Sequence, residues 1–407
     1  MHRRILAFFL AVAAICTALP GGAQEHTRQW VRSEYARIQL PEQNAALYSQ
    51  SPSVSGEYAA GALSEPVQAS AIAYVNFLRA LAYLSPVTLE DVYSLRAQHG
   101  SVLLAANDRL EHDAPQPQDM PEGFYECAHA GTLSSNIAAL NWATSDVLLN
   151  AIEYFCRDDG EENLSVMGHR RYLLSPLLGK TGLGLAQSQS GVSYAAMYVG
   201  DTSADPGDWR TVAWPSQGAF PADLMGPLIP WSITLNGEYY DLEASQIRVS
   251  LIEETAGQAT LDFFTLSTEA YGPGPCLILR PDLAAMGLEN YQQNQIWTVH
   301  VDGLKTHSGE EESLEYSVEM VSLLPIEVSS VEVEPRALEM STGDVCQLQA
   351  QVIPQWADDL SVTWISDDET VCSVTAEGTV TAQSPGECSV TAVSANGRED
   401  KCSIRVK

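Results

Sequence analysis

At positions 168–176 the chain reads GHRRYLLSP, and at 181–184 it reads TGLG. An acidic segment, RDDGEEN at 157–163, runs into the first stretch, and an alternating apolar segment follows the second. We therefore expect His169 to lie where a polar loop becomes a buried strand, a junction that exposes a side chain while rigid elements hold its backbone. A second histidine, His112, is expected to end a long amphipathic helix upstream. The pattern predicts that the two histidines meet in a groove.

The composition indicates a folded protein of several domains. The chain has 407 residues, 45% hydrophobic and 18% charged, which is more than one ordinary core accommodates. A basic start at 2–4, an apolar run at 5–19 and small residues at 21–23 predict a cleaved signal peptide over 1–23. We expect a secreted protein without a transmembrane anchor, so that any attachment to a cell wall or surface is noncovalent.

The net charge indicates which classes of partner are disfavoured. A formal net charge of −31 argues against nucleic acid and anionic membranes as partners, because both would repel the chain.

Seven cysteines follow the predicted signal peptide: Cys127, Cys156, Cys276, Cys346, Cys372, Cys388 and Cys402. None forms a CxxC motif, which argues against a zinc ribbon. An extracellular location permits disulfides, but Cys346, Cys388 and Cys402 alternate in phase with apolar residues and could be buried thiols, so the pairing stays open.

The hydrophobic pattern separates four segments after the signal peptide. Residues 24–66 predict a short helix followed by a linker. Helical spacing at 69–85, 88–112 and 134–155, then strand alternation at 182–186 and 194–199, predict an α+β domain over 67–203. Strand-like runs separated by turns predict a β-rich domain over 204–326. Short, evenly spaced strands around Trp364 predict a small Ig-like sandwich over 327–407.

Several short motifs in the α+β segment occur together. They are Asn76-x-x-Arg79 on the first predicted helix, Leu110-Glu111-His112 ending the second, Ser135-Asn136-Ile137-Ala138 on the third, Gly168-His169-Arg170-Arg171, and Thr181-Gly182-Leu183-Gly184. With these motifs, residues 69–201 resemble the CAP superfamily (cysteine-rich secretory, antigen 5 and pathogenesis-related proteins) in its bacterial secreted form. The resemblance implies an α/β/α sandwich with a central cleft lined by two histidines and two acidic residues. In some members this cleft holds a divalent metal such as zinc.

Carried over position by position, the resemblance implies a ligand cleft. His112 and His169 match the two histidines and are the implied metal ligands. The first acidic position, a glutamate in a Gly-Glu-Asn triplet, is occupied here by Ser134-Ser135-Asn136, and either Glu153 or Asp158 could serve as the second. The candidate cleft residues are therefore His112, His169, Ser135, Asn136, Glu153 and Asp158. A structural interpretation stays open, because a helix-end histidine can cap carbonyl groups and an aspartate can shape a polar turn.

The last segment carries its own signature. The matching stretches are 338–343, 362–366, 374–378, 380–382 and 386–392. They resemble the bacterial Ig-like group 2 fold, and the segment before them resembles the β-domain that often follows bacterial CAP domains.

Two functions fit these features. HExxH, GxSxG, Walker and dinucleotide motifs are absent from the sequence. We therefore expect a non-enzymatic protein whose cleft binds a glycan, peptide or lipid and whose Ig-like domain is a spacer or adhesion module. The alternative is a metal-assisted hydrolase of wall or extracellular peptide that uses His112 and His169. A nucleophilic pair of Ser135 with a histidine is chemically conceivable.

Overall fold

The structure, a computed structural model, describes residues 25–42, 45–141 and 144–407. The predicted signal peptide lies outside the described residues. Two compact units are present: the described residues up to Tyr291 together with Gln295–Val321, and Gln292–Asn294 together with Ser322–Lys407. The chain is multidomain and mostly β, with few helices. None of the helices in the described segments has the length and apolar character needed to cross a bilayer.

The first unit begins with a region that mixes helices and short strands. Its helices α1 to α6 are Arg28–Ala36, Glu65–Leu81, Asp91–Asn107, Glu122–Leu133, Val147–Arg157 and Gly168–Leu173. Its strands β1 to β7 are Tyr48–Gln50, Ala62–Leu63, Thr88–Leu89, Ser135–Leu140, Lys180–Thr181, Leu183–Gln187 and Ser193–Tyr198. Strands β4, β7 and β6 form an antiparallel sheet. Helices α3 and α4 share a hydrophobic cluster with this sheet, and α5 contacts β4 and β7.

The predicted third helix over 134–155 is wrong, because this stretch forms strand β4 and then helix α5. The register of β4 against β7 runs from Ser135 opposite Tyr198 to Leu140 opposite Ser193. Nearly every β4 residue is buried. Such a short apolar run has no periodicity that distinguishes a strand from a helix, so tertiary pairing decides.

The two histidines also lie in elements other than those predicted. Helix α3 ends at Asn107, five residues before His112, because Asp108 takes a left-handed conformation (φ 49°) and ends the helix. Helix α3 starts at Asp91, whereas Thr88 lies in β3, paired with β5. His169 is the second residue of the short helix α6 rather than the first residue of a strand.

The rest of the first unit is a β-sandwich. Its strands β8 to β16 are Thr211–Trp214, Gly218–Pro221, Trp231–Leu235, Arg248–Glu253, Gly257–Gln258, Leu261–Ser267, Cys276–Pro281, Ile296–Lys305 and Glu311–Val321. They form a sheet in the order β13-β14-β10-β8 and another in the order β12-β11-β15-β16-β9. Trp214, Trp231 and Trp297 are at most 1% exposed and fill the core. Met167, just before α6, packs with Cys276 and Ile278 of β14, so the mixed region and the sandwich share a hydrophobic contact.

An aromatic stack fastens the start of the described chain to this sandwich. The His26 ring lies between Trp30 and Tyr83, with centroid distances of 3.8 and 3.9 Å. Its backbone carbonyl accepts a hydrogen bond from the N–H of Ala219. Burial lowers the pKa of His26 from 6.5 to about 4. The imidazole is therefore neutral in the folded protein near neutral pH.

The His26 stack should make folding stability depend on pH between about 6.5 and 4. Between these pH values His26 is protonated in the unfolded chain but stays neutral in the folded protein. The contribution of His26 to folding stability is therefore fully present above pH 6.5 and is lost as the pH decreases. We expect a loss of up to about 3 kcal/mol at pH 4. Urea unfolding at pH 7 and pH 4.5 measures it beside His26→Phe, in which carboxylate contributions are unchanged. The idea fails if both proteins lose the same stability.

The second unit is a small sandwich with an Ig-like arrangement. Its strands β17 to β25 are Ser330–Glu334, Ala337–Met340, Val345–Gln347, Gln349–Ile353, Val362–Ser366, Cys372–Val374, Thr379–Ala382, Gly386–Ser394 and Glu399–Val406. They form sheets in the orders β18-β25-β24-β21 and β19-β23-β22, and the pair β17-β20. A disulfide joins Cys372 of β22 to Cys388 of β24. The other described cysteines are thiols.

Candidate functional site

The candidate site forms where the loop after α5 returns to α6. Asp158 follows α5 in the left-handed region (φ 49°), which aspartate tolerates better than most residues. Met167, just before α6, is also left-handed (φ 51°). These two bends bring Asp158 and His169 together, with 2.9 Å between Oδ1 of Asp158 and Nδ1 of His169. The loop geometry therefore builds a carboxylate–imidazole pair.

Both side chains of the Asp158–His169 pair are largely buried. The Asp158 side chain is 0% exposed and that of His169 is 15% exposed. The second Asp158 oxygen accepts a hydrogen bond from the backbone N–H of Arg170. A buried carboxylate at Nδ1 favours the tautomer with its proton on that nitrogen, which leaves Nε2 of His169 as an acceptor. Asp158 thus orients the imidazole of His169.

Two asparagines complete the surroundings of His169. Asn136 of β4 donates to the backbone carbonyl of His169 at 2.9 Å. The Asn163 amide lies 3.2 Å from Nδ1 of His169, and the Phe155 ring centroid is 5.5 Å from the imidazole centroid. Asn136 was a predicted cleft residue. Asn163 and Phe155 were not, because nothing in the spacing of a polar loop or an apolar helix face marks them.

His112 is held from the other end of the α4–β4 connection. Its Nδ1 lies 2.8 Å from the carbonyl oxygen of Thr132, whose hydroxyl donates to the His112 carbonyl. The His112 residue is exposed. Because Thr132 and Asn136 are only four residues apart, one short segment fixes both histidines. His112 is thus held by Thr132, whereas His169 is held by Asn136 and Asp158.

The two remaining candidates point elsewhere. The Ser135 hydroxyl is buried and has no hydrogen-bond partner among the residues that the structure describes. Since side chains alternate along a strand, Ser135 faces away from its neighbour Asn136 and from the His169 carbonyl that Asn136 binds. Glu153 accepts a hydrogen bond from the Tyr74 hydroxyl of α2 at 2.9 Å. Neither side chain joins the carboxylate–imidazole pair.

The residues present do not fit a zinc site. Zinc in proteins takes three or four nitrogen, sulfur or oxygen ligands in tetrahedral geometry. In the parts of the chain that the structure describes, no three histidine, cysteine or acidic side chains are grouped closely enough to hold an ion. At the implied acidic position, Ser135 supplies a buried hydroxyl rather than a carboxylate.

The two arginines beside His169 are structural. Arg170 donates to the carbonyls of Cys156, Arg157 and Pro230 and to the Ser232 hydroxyl. Arg171 donates to the carbonyls of Val166, Glu269 and Gly274 and to the Ser267 hydroxyl. Residues 230–232 and 267–274 belong to the sandwich, so α6 is fastened to it directly. A Cβ on Gly168 would lie 3.1 Å from the Tyr271 ring, so the ring would have to shift slightly to admit it.

Arg79 and Asn76 of α2 bind the backbone of nearby loops. Arg79 is 0% exposed and donates to the carbonyl oxygens of Ser85, Leu173, Ser175 and Leu178. Asn76 makes two hydrogen bonds with the backbone of Val87. Arg79 therefore links the loop after α2 to the end of α6 and the chain that follows it, and Asn76 fixes the loop after α2 alone.

Several known proteins are similar to parts of this chain. Among solved structures, domains 4 and 5 of the S-layer protein SbsC are 16% identical, with a TM-score of 0.19, over 27% of this chain and 64% of that one. The adhesin InvE of Yersinia pseudotuberculosis is 10% identical, with a TM-score of 0.25, over 46% of this chain and 56% of that one. Both TM-scores are low.

Among curated proteins, a Lacto-N-biosidase of Bifidobacterium bifidum is 40% identical over 81 residues, which is 20% of this chain and 7% of that protein. An Alpha-L-arabinofuranosidase of Bifidobacterium longum subsp. longum is 30% identical over 114 residues, which is 28% of this chain and 10% of that protein. The chain thus spans at most 10% of the length of either relative. Residues 327–404 match the family model described as Bacterial Ig-like domain (group 2), and this part of the chain is therefore a bacterial Ig-like domain.

Proposed function

We propose that this chain is a secreted, non-enzymatic binding protein. Residues 67–203 form a CAP-like domain whose His169 groove binds a glycan or peptide segment of an extracellular polymer, and the Ig-like domain is a spacer or adhesion module. A bacterial Ig-like domain and a disulfide between Cys372 and Cys388 support an extracellular or surface location, because disulfides persist in oxidising compartments.

The Asp158–His169 pair carries this proposal. An imidazole whose Nδ1 is held by a buried carboxylate has a fixed orientation and one remaining acceptor, Nε2. A fixed acceptor suits a hydroxyl or amide N–H of a ligand, and such groups are abundant in glycans and peptides. The formal net charge of −31 disfavours anionic ligands. The absence of a three-ligand cluster in the described segments favours binding over metal-assisted hydrolysis.

Removing the imidazole should weaken binding to a wall polymer. The probe is insoluble peptidoglycan, which presents both glycan and peptide, and the readout is the fraction of protein that sediments with it. We expect His169→Ala to raise the apparent Kd at least about tenfold, which corresponds to one lost hydrogen bond of roughly 1.4 kcal/mol. Asp158→Asn should weaken binding as well, because it removes the carboxylate that fixes the tautomer.

His300→Ala is the matched control. His300 also faces a carboxylate, with 3.1 Å between its Nδ1 and Oε2 of Glu315, but it lies in the sandwich on β15. Its replacement should leave sedimentation unchanged. Equal binding by the His169→Ala and unchanged proteins would refute the role of the groove. Binding to neutral phosphatidylcholine vesicles instead of peptidoglycan would assign a lipid ligand and contradict the polymer proposal.

One observation also favours a hydrolytic function. A carboxylate at Nδ1 of a histidine is the arrangement of a general base, in which Nε2 accepts a proton from an attacking water. The same incubation separates the two functions. A hydrolase would release soluble peptidoglycan fragments over time, and His169→Ala would abolish the release, whereas a binding protein leaves the polymer intact.

A further inference from the structure

The Ig-like domain holds two thiols on opposite sheets. Cys346 lies on β19 and Cys402 on β25, and both are unpaired. Cys402 is 0% exposed within the core cluster, and the half-buried Cys346 packs against that cluster. The neighbours of Cys346, Val345 and Gln347, are exposed, so alternation points the Cys346 side chain inward. Both thiols thus face the space between the sheets.

The register of the three-stranded sheet relates Cys346 to the bridged Cys372. Cys372 of β22 pairs with Ala382 of β23, and Cys346 of β19 pairs with Val380 of the same strand. Cys346 is therefore displaced from Cys372 by two residues along β23, away from the link at 383–385.

The facing sheet repeats this displacement. Cys402 of β25 pairs with Val390 of β24, which is two residues along that strand from the bridged Cys388. This step also leads away from the link at 383–385, which joins β23 to β24. Cys372 and Cys388 face each other across the core. Because Cys346 and Cys402 are each displaced from them by two residues along the strands, in the same direction, these two thiols lie at matching heights in the two facing sheets.

Perpendicular to the strands, Cys346 and Cys402 are displaced from the bridged cysteines towards the same side of the sandwich. Strand β20, which continues β19 after Leu348, pairs with β17. Strand β17 also contacts β25, where the backbone N–H of Val333 donates to Asp400, two residues before Cys402. The side of the sandwich that carries β19 and β20 is therefore the side that carries β25.

We propose that Cys346 and Cys402 form a second disulfide of the Ig-like domain, across its two sheets. The bond requires an oxidant, for which a small-molecule disulfide such as oxidised glutathione suffices. Burial and the neighbouring Cys346 thiol raise the pKa of Cys402 to about 11, which agrees with two thiols that face each other. It also makes Cys402 the poorer nucleophile, so the exchange starts at the more accessible Cys346.

The exchange balances in two steps. The Cys346 thiolate attacks oxidised glutathione, forms a mixed disulfide and releases one glutathione thiolate. The Cys402 thiolate then attacks the Cys346 sulfur and releases the second glutathione thiolate. The two cysteine protons end on the two released glutathione molecules. The protein loses two electrons, and the oxidant gains them.

Counting thiols tests the proposal on the chain from residue 24 onward. Denatured protein should show five thiols when Cys346 and Cys402 are reduced, and three after incubation with oxidised glutathione at pH 8. Peptide mapping without reductant should yield one peptide pair that joins Cys346 to Cys402. The oxidised protein should also have the higher melting temperature, because the crosslink restricts the unfolded chain.

Single serine variants separate this pair from other thiols. Cys346→Ser should show four thiols before and after oxidation, whereas Cys402→Ser should trap Cys346 as its mixed disulfide with glutathione and fall from four thiols to three. Cys127→Ser, which removes a half-buried thiol of the first unit, should fall from four to two. The proposal is overturned if, in the unchanged protein, five thiols persist, Cys346 ends joined to glutathione, or Cys346 is joined to another cysteine.

Discussion

Replacing Arg170 by methionine should lower the free energy of unfolding of the first unit by about 4 kcal/mol, one of the largest effects expected in this chain. Arg170 is 1% exposed, and methionine has a similar length but no hydrogen-bond donors. The acceptors left without their donor would be the carbonyls of Cys156, Arg157 and Pro230 and the Ser232 hydroxyl. A buried polar group without a partner costs more than its hydrogen bond contributes, so the loss is steep.

Urea unfolding of matched variants measures this effect. Arg248→Met changes an exposed arginine of the same unit and should shift stability by less than about 0.5 kcal/mol. Arg170→Lys keeps a positive charge and part of the donors, so we expect an intermediate loss, and it provides a folded protein if Arg170→Met does not fold. Equal unfolding midpoints for Arg170→Met and Arg248→Met would contradict the structural role of Arg170.

The stretch at 168–171 shows what the sequence could and could not predict. It marked a position around which the chain is organised, and His169 does contact a candidate acid, Asp158. The sequence did not indicate what the two arginines that follow His169 contact. The partners of Arg170 in the sandwich are 60 residues or more away along the chain, and only the folded structure reveals them.

The hydrophobic pattern of the sequence predicted the structure best where residues that are close along the chain also contact each other in the fold. The strands of the Ig-like domain alternate cleanly, and residues 327–404 match that family. The disulfide could not be predicted, because spacing among four cysteines does not select the pair Cys372 and Cys388. Strand β4 was assigned to a helix because a six-residue apolar run lacks a distinguishing period.

The second large effect is expected at Gly182, the first glycine of the Thr-Gly-Leu-Gly motif. A Cβ on Gly182 would lie 2.0 Å from the backbone carbon of Tyr93 and 2.1 Å from the nitrogen of Ser94, in the first turn of α3. The Gly182 carbonyl also accepts a hydrogen bond from the N–H of Tyr198 at the end of β7. The residue is therefore held between a helix and a strand, and the sequence motif reflects this close approach.

Gly182→Ala should destabilise the first unit by about 3 kcal/mol, because backbone atoms cannot turn aside as a flexible side chain can. Gly123→Ala is the control: it lies in α4 with nothing within 4 Å of the added Cβ, and should raise stability by up to about 1 kcal/mol. Denaturant unfolding of the two variants compares the same added methyl group at a closed and an open position. A loss of similar size in both would mean that glycine flexibility, rather than the contact between Gly182 and α3, determines the effect. A loss at Gly182 alone would show that the first glycine of the Thr-Gly-Leu-Gly motif is needed for the close packing of this segment against α3.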